Sequence, residues 1–124
     1  MAGRVVAVVG ASSDRRKFGN RAFRAFRDEG YKAIPINPNE ASVEGVSTYP
    51  SVTDVPEQID MATVYVPPEI GITLLDGFEK KRIAEIWINP GAESDELLAE
   101  ARRRKLKIIE ACSIFGIGQN PYSY

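Results

Sequence analysis

A glycine followed by small and hydroxyl-bearing residues, Gly10-Ala11-Ser12-Ser13, comes directly after the apolar run Val5–Val9. A run of β-branched residues predicts a strand buried on both faces, and the stretch around Ala22 predicts a helix after it. A turn from strand to helix exposes the free backbone N–H groups of the helix N-terminus, which attract phosphate. The sequence therefore predicts a phosphate-binding turn at Gly10, Ala11, Ser12 and Ser13.

Basic residues follow this turn and can supply positive charge to phosphate groups. Lys17 and Arg21 are one helical turn apart and close to the turn, so we expect both to contact phosphate. Ser12 and Ser13 are also typical helix caps, a role that is compatible with phosphate contact. Arg24 and Arg27, farther along the helix, are expected on its solvated face.

Predicted strands and helices alternate along the chain. The predicted strands cover residues 4–9, 32–36, 61–66, 85–88 and 107–110. The predicted helices cover residues 19–29 and 69–81, and a third begins after Ser94, a typical N-cap. A short extended piece at 46–49 and a helical turn within 52–58 lie between strands two and three. The β-α-β alternation predicts an α/β fold with a parallel sheet covered on both sides by helices, and no second domain.

Turn-forming residues follow four successive predicted strands. The first strand is followed by the turn at Gly10, and the next three by Asn37-Pro38, Pro67-Pro68 and Asn89-Pro90-Gly91. Parallel sheets bind ligands at the carboxyl ends of their strands, where the strand order reverses. We therefore expect these residues to form one cleft.

The residues of this cleft do not match two common nucleotide-binding patterns. Ser12 replaces the second glycine of the G-x-G-x-x-G dinucleotide pattern. The second strand ends in Asn37-Pro38, without the acidic residue that would hold ribose hydroxyls, and Glu40 comes only later. NAD and NADP are thus disfavoured, although an NAD(P)-binding oxidoreductase-type domain stays open as an alternative. No G-K-[ST] sequence follows Gly10, so the P-loop pattern for magnesium ATP is absent.

Composition and charge give no support for several kinds of partner and site. The formal net charge of −1 gives no reason to expect a nucleic acid or a membrane surface as partner. The chain has no histidine, the commonest general base and metal ligand, and we expect no metal site. Cys112 is the single cysteine, so no internal disulfide forms, and a cytoplasmic location is expected. No segment approaches the ~18 apolar residues of a membrane span.

Taken in order, these motifs resemble the small stand-alone coenzyme A (CoA)-binding proteins, which are similar to the CoA-binding domain of the succinyl-CoA synthetase α subunit. The matching segments are Val9-Gly10-Ala11-Ser12, Gly30-Tyr31, Ile34-Pro35-Ile36-Asn37-Pro38, Gly45, Tyr49-Pro50-Ser51, Val64-Tyr65-Val66-Pro67, Trp87-Ile88-Asn89-Pro90-Gly91 and Cys112. The resemblance covers nearly the whole chain. It implies a single Rossmann-like domain over residues 1–124, with a five-stranded, mainly parallel sheet and helices on both faces, that binds CoA or an acyl-CoA along the strand ends.

The resemblance also implies roles for individual segments. The Gly10–Ser13 turn and Lys17 would bind the phosphates, Asn37-Pro38 and Val66-Pro67 would flank the adenosine end, and Asn89-Pro90-Gly91 would lie near the pantetheine arm. The chain has no counterpart of the histidine that carries phosphate in the synthetase, so we expect binding without catalysis. An acyl-CoA-sensing module that acts through a protein partner stays open, and so does a homo-oligomer.

Overall fold

A five-stranded parallel sheet forms the centre of the structure, a computed structural model that describes residues 3–124. These residues form seven strands: β1 (Val5–Val9), β2 (Lys32–Ile36), β3 (Ser42–Val43), β4 (Val46–Ser47), β5 (Met61–Val64), β6 (Glu85–Ile88) and β7 (Ile108–Glu110). The sheet order is β2-β1-β5-β6-β7 and every pairing is parallel, whereas β3 and β4 form a separate antiparallel pair. The predicted parallel sheet is confirmed.

Helices cover both faces of the sheet. They are α1 (Phe18–Asp28), α2 (Pro68–Lys80), α3 (Asp95–Arg103) and the single turn α4 (Ser113–Gly116), with 3-10 turns at Val52–Asp54 and Pro121–Ser123. Ser94 caps α3 as predicted, because its hydroxyl accepts a hydrogen bond from the Leu97 N–H at 3.1 Å. No helix within residues 3–124 is long and apolar enough to cross a membrane.

Two apolar layers hold the helices on the sheet. Alternate residues of a strand point to opposite faces, so Val6 and Val8 pack under α1 while Ala7 and Val9 pack under α2 and α3. Phe23 and Phe26 of α1 are fully buried in the first layer. Because both faces of β1 are covered, its sequence is continuously apolar rather than alternating. This apolar run is the pattern from which the strand could be predicted.

The strand order reverses between β1 and β5. The chain leaves β1 toward β2 on one side, then crosses back to place β5 on the other side of β1. The carboxyl ends of β1 and β5 are therefore the switch point of the sheet, where Gly10 lies against Tyr65 and Val66. The crossing segment carries the β3–β4 pair, whose two turn residues, Glu44 and Gly45, have positive φ values of 49° and 80°.

One expectation about the region after β1 is wrong. The sequence predicted a turn from strand to helix at residues 10–13, but the connection to α1 is an eight-residue loop over residues 10–17. The loop crosses over the switch point before the helix begins, which leaves the first turn of α1, with the 44% exposed Phe18, beside the strand ends.

Candidate functional site

A cavity of about 800 Å³ lies over the carboxyl ends of the strands at the switch point. One wall is the β1–α1 loop, and the opposite wall is formed by the segments after β5 and β6. The third wall comes from the C-terminal part of the chain. Its lining includes Gly10, Ser12, Lys17, Phe18, Gly19, Asn37, Asn39, Glu40, Tyr65, Val66, Pro67, Asn89, Pro90, Gly91, Cys112, Phe115, Pro121 and Tyr122. We call this cavity the main groove.

Two glycines let the loop and the helix meet over the switch point. Gly10 has a φ of +88°, and a Cβ atom there would lie 3.0 Å from Val66 Cγ1 and 3.1 Å from the Tyr65 carbonyl carbon. Gly19, in the first turn of α1, lies so close to the Gly10 carbonyl that an added Cβ would be 2.2 Å from that oxygen. Side chains at these two positions would separate the loop from the strand and the helix from the loop.

Amide side chains hold the loop between its neighbours. Asn37, at the end of β2, donates to the Ala11 carbonyl at 2.8 Å, and Asn20 of α1 donates to the Ser12 carbonyl at 2.8 Å. Asn20 also donates to the Glu44 carboxylate at 3.1 Å, which ties the β3–β4 turn to the helix. The loop is thereby held on both sides, by the end of β2 and by α1.

The first turn of α1 opens onto the main groove. Lys17 occupies the N-cap position without a side-chain cap, so its side chain accepts no hydrogen bond from the first N–H groups of the helix, although its backbone carbonyl accepts one from the Asn20 N–H at 3.1 Å. Lys17 is exposed, and within residues 3–124 no carboxylate forms an ion pair with it. A free ammonium group beside a helix N-terminus is a suitable environment for an anion.

The other cations near the groove have partners inside the protein. Arg15 pairs with Glu44 at 3.3 Å, and Arg16 pairs with Asp14 at 3.0 Å. The Arg16 guanidinium hydrogen bond lowers the pKa of Asp14 to about 2. Arg21 stacks over the Phe18 ring at 5.1 Å and donates to the Pro121 carbonyl at 3.5 Å. Within residues 3–124, Lys17 is the cation of this group whose side chain has no ion-pair, hydrogen-bond or aromatic partner.

A buried polar network forms the floor of the groove at β5, β6 and α4. Asn89 is 2% exposed; it donates to Thr63 Oγ1 at 2.7 Å and to the Val64 carbonyl at 3.0 Å. Its side-chain oxygen Oδ1 accepts a hydrogen bond from the Ser113 N–H at 2.9 Å. The Ser113 hydroxyl lies 2.7 Å from Thr63 Oγ1 and 3.1 Å from the Tyr65 hydroxyl. This network ties α4, and with it the neighbouring Cys112, to the strand ends.

The Tyr65 hydroxyl on this floor is poorly suited to proton transfer near neutral pH. Burial raises the pKa of Tyr65 to about 12, although its hydrogen bonds to Ser113 and Thr63 act in the opposite direction. Cys112 is half-buried and lines the groove, and the chain has no histidine to serve as its base. Within residues 3–124, no cluster of three or more Cys, Asp or Glu side chains is arranged to bind a metal ion. The floor can position a ligand by shape and hydrogen bonds.

A second cavity of about 440 Å³ adjoins the main groove on the α2 side of the sheet. The two cavities share Gly10, Asn37, Asn39 and Val66, so a single elongated ligand can pass from one into the other over the switch point. Pro38, Pro50 and Ser51 line the second cavity at the end of β2. We call this cavity the side pocket.

Comparison of the chain with known protein families finds a match over most of its length. The family model described as "CoA binding domain" matches residues 4–117. The chain belongs to this CoA-binding domain family.

The CoA-binding domain also occurs inside larger enzymes. The chain is 32% identical over 117 residues to the α subunit of acetate–CoA ligase [ADP-forming] II from Pyrococcus furiosus. That match covers 92% of the chain but 25% of the ligase subunit, so the chain spans about a quarter of this relative. A solved acetyl-coenzyme A synthetase from Candidatus Korarchaeum cryptofilum is 27% identical with a TM-score of 0.75, over 89% of the chain and 26% of the synthetase.

Proteins of the size of this CoA-binding domain have also been solved. A conserved hypothetical protein from Pyrococcus furiosus is 28% identical with a TM-score of 0.84. The match covers 91% of the chain and 98% of that protein. The fold therefore exists both as a whole chain and as one part of a ligase.

Nine of the thirteen residues predicted for the site line the main groove of this CoA-binding domain. They are Gly10, Ser12, Lys17, Asn37, Val66, Pro67, Asn89, Pro90 and Gly91. The other four lie elsewhere: Pro38 lines the side pocket, Ala11 is fully buried in the core, Ser13 is exposed and bonded to Glu40, and Arg21 is packed on Phe18. Ser12 and Ser13 precede the helix by several residues and do not cap it.

Sequence reasoning missed several residues of the groove. Gly19 stands at the start of the predicted helix, where glycine is a poorer helix former than alanine, and this cost is the one local sign of a packing role. Glu40 and Tyr65 gave no such sign, because their positions depend on how the loops fold over the strand ends. Phe115 and Tyr122 reach the groove through the return of the C-terminal segment over α1, where Tyr122 packs edge-on against Phe18 at 6.4 Å.

Proposed function

We propose that this protein binds CoA or an acyl-CoA in the main groove and side pocket, and that it performs no chemistry on the ligand by itself. The observation that carries the proposal is the convergence of Gly10, Lys17 and Asn89-Pro90-Gly91 on one groove at the switch point. Open α/β sheets bind nucleotide ligands at this place. Membership of the CoA-binding domain family supports CoA as the nucleotide.

The shape of the two cavities supports one orientation of the ligand. The adenosine end would enter the side pocket beside Asn37-Pro38, since that pocket is the smaller of the two and lies beyond Gly10 and Val66, which both cavities share. The diphosphate would lie where the two cavities meet, within reach of the β1–α1 loop, Lys17 and the first turn of α1. The pantetheine arm would follow Asn89-Pro90-Gly91 toward Cys112.

A binding role without catalysis fits the groups that the groove offers. Acyl transfer needs a nucleophile with a base, or a base that activates water. The chain has no histidine, and the raised pKa of Tyr65 makes that hydroxyl a weak acid at neutral pH. The ligase relatives extend well beyond the part that the chain matches, so their reaction is not transferred to this protein.

CoA should raise the melting temperature of the protein more than NAD or NADP does. A ligand that binds only the folded state stabilises it by about 2.7 kcal/mol at a hundredfold excess over its dissociation constant. A thermal scan with equal concentrations of CoA, acetyl-CoA, NAD and NADP measures the difference. Strong stabilisation by NAD with none by CoA would contradict the proposal and favour the oxidoreductase-type alternative.

Replacing Lys17 with alanine should weaken CoA binding by roughly 1–3 kcal/mol, the range of a charge-assisted hydrogen bond to phosphate. Lys17 is exposed and unpaired with any carboxylate of residues 3–124, so the folded structure should tolerate the change. Arg102→Ala removes the same charge from the exposed end of α3 and serves as the control. Equal CoA affinities for both variants, measured by titration calorimetry, would remove Lys17 from the site.

A further inference from the structure

The β1–α1 loop already holds an anion that the chain itself supplies. The Glu40 carboxylate accepts hydrogen bonds from the Ser13 N–H at 2.9 Å and from the Ser13 hydroxyl at 3.0 and 3.1 Å. The Ser12 hydroxyl lies 3.4 Å from the same carboxylate. Backbone N–H and hydroxyl groups that converge on two carboxylate oxygens form the arrangement that a bound phosphate would also receive.

The backbone of Glu40 is fixed, whereas its carboxylate is held only by this loop. The Glu40 carbonyl accepts a hydrogen bond from the Thr48 hydroxyl, and the Thr48 N–H donates to the Ala41 carbonyl at 3.2 Å. Asn39 is anchored in the same way, through its N–H to Asn37 Oδ1 at 2.8 Å. The carboxylate makes no ion pair with a cation in the described part of the chain. Rotation of the Glu40 side chain alone can therefore vacate the loop.

A phosphate group and the Glu40 carboxylate cannot use the loop together. The Ser13 N–H has one hydrogen to donate, and two anions at hydrogen-bond distance from the same donor repel each other strongly. The other acids beside the loop do not create this conflict, since Asp14 is paired with Arg16 and Glu44 with Arg15. Glu40 is thus the acid that a bound phosphate must displace.

We propose that Glu40 is an intramolecular competitor for the phosphate-binding loop and thereby sets the affinity of the groove for phosphate-bearing ligands. In the free protein the carboxylate occupies the donors of Ser12 and Ser13, and it leaves them when the phosphate group of a ligand enters. Part of the ligand's binding free energy replaces the hydrogen bonds that Glu40 gives up. The inference rests on the proposed function, since it takes the loop as the place where the ligand's phosphates bind.

The test compares the wild type with Glu40→Gln, Glu40→Ala and Glu110→Gln. Glu110 is exposed at the carboxyl end of β7, so its substitution removes one negative charge from the same edge of the sheet without touching the loop. Titration calorimetry with CoA should show at least tenfold tighter binding to both Glu40 variants and a change below twofold in Glu110→Gln. Inorganic diphosphate, the smallest probe of the loop, should stabilise the Glu40 variants more than the wild type in a thermal scan.

Each contrary result has a definite meaning. If CoA binds the wild type as tightly as it binds the Glu40 variants, the competition is refuted while the proposed function stands. An equal gain in Glu110→Gln would reduce the effect to general charge and also refute it. A gain for CoA without one for diphosphate would place Glu40 elsewhere along the ligand and refute it as well. If neither the wild type nor the variants bind CoA, both proposals fail.

Discussion

Replacing Gly19 with alanine should destabilise the protein by about 2 kcal/mol or more and abolish CoA binding. In an ordinary helix this change stabilises by up to ~1 kcal/mol, because glycine is the poorer helix former. Here the new Cβ atom would lie 2.2 Å from the Gly10 carbonyl oxygen and 3.3 Å from the Ala11 Cα, both backbone atoms. Overpacking against backbone that cannot move freely costs roughly 1–3 kcal/mol or more, so the steric effect outweighs the gain in propensity.

Gly77→Ala, in the interior of α2, is the matched control for Gly19→Ala. A Cβ atom at Gly77 would meet Thr53 Cγ2 and Val52 Cγ2 at 3.5 Å, an ordinary van der Waals distance. This variant should therefore be neutral or up to ~1 kcal/mol more stable. Denaturant unfolding of both variants measures the contrast. A Gly19→Ala protein as stable as Gly77→Ala would show that the loop and α1 can separate without loss.

The sheet and its helices were predictable from the sequence because each element carries a local signal. Val5–Val9 is continuously apolar since β1 is covered on both faces, and Ser94 marks the start of α3 through its own hydroxyl. The strand ends were less exact: β5 ends at Val64, two residues before the predicted end. Tyr65 and Val66 continue the apolar pattern but leave the sheet to pack against Gly10, a contact that no local pattern specifies.

The strand-end positions of the site residues could be predicted from the topology of the sheet. The hydrogen-bond and ion-pair partners of their side chains could not. Residues after parallel strands must lie at one edge of the sheet, which explains why Asn37, Val66 and Asn89 all line the main groove. The pairing of charges depends instead on loop paths. Arg21 was predicted to bind phosphate from its helical spacing, yet its guanidinium stacks on Phe18 beneath the C-terminal segment. Glu40 reaches Ser13 only because the segment after β2 folds back over the loop.

The polar network under the groove has a structural role that sequence could not show. Asn89 was selected as one residue of a turn motif, next to Pro90 and Gly91. In the structure its side chain faces inward and links β5 to α4, with Thr63 and Val64 of β5 and Ser113 of α4 as partners. The same residue therefore shapes the groove and stabilises its floor, and the two roles can be separated only by measurement of both stability and binding.

Replacing Asn89 with alanine should lower the free energy of unfolding by about 3 kcal/mol. The change leaves the buried Ser113 N–H without its acceptor, and an unsatisfied buried donor alone costs about 1–3 kcal/mol. The donors to Thr63 Oγ1 and to the Val64 carbonyl are lost at the same time. Because Ser113 opens α4, this helix should loosen and carry Cys112 and Phe115 away from the groove.

Asn120→Ala is the matched control for Asn89→Ala. The Asn120 side chain also accepts a backbone hydrogen bond, from the Tyr122 N–H at 2.9 Å, but it is exposed to water. Water can replace the lost acceptor there, so the cost should be at most about 1 kcal/mol. Chemical denaturation measures both values.

In a double-mutant cycle, Asn89→Ala and Thr63→Val should be strongly non-additive, because Thr63 bonds both Asn89 and Ser113. Additive losses would show that the three side chains act independently and that the network does not hold α4 on the sheet.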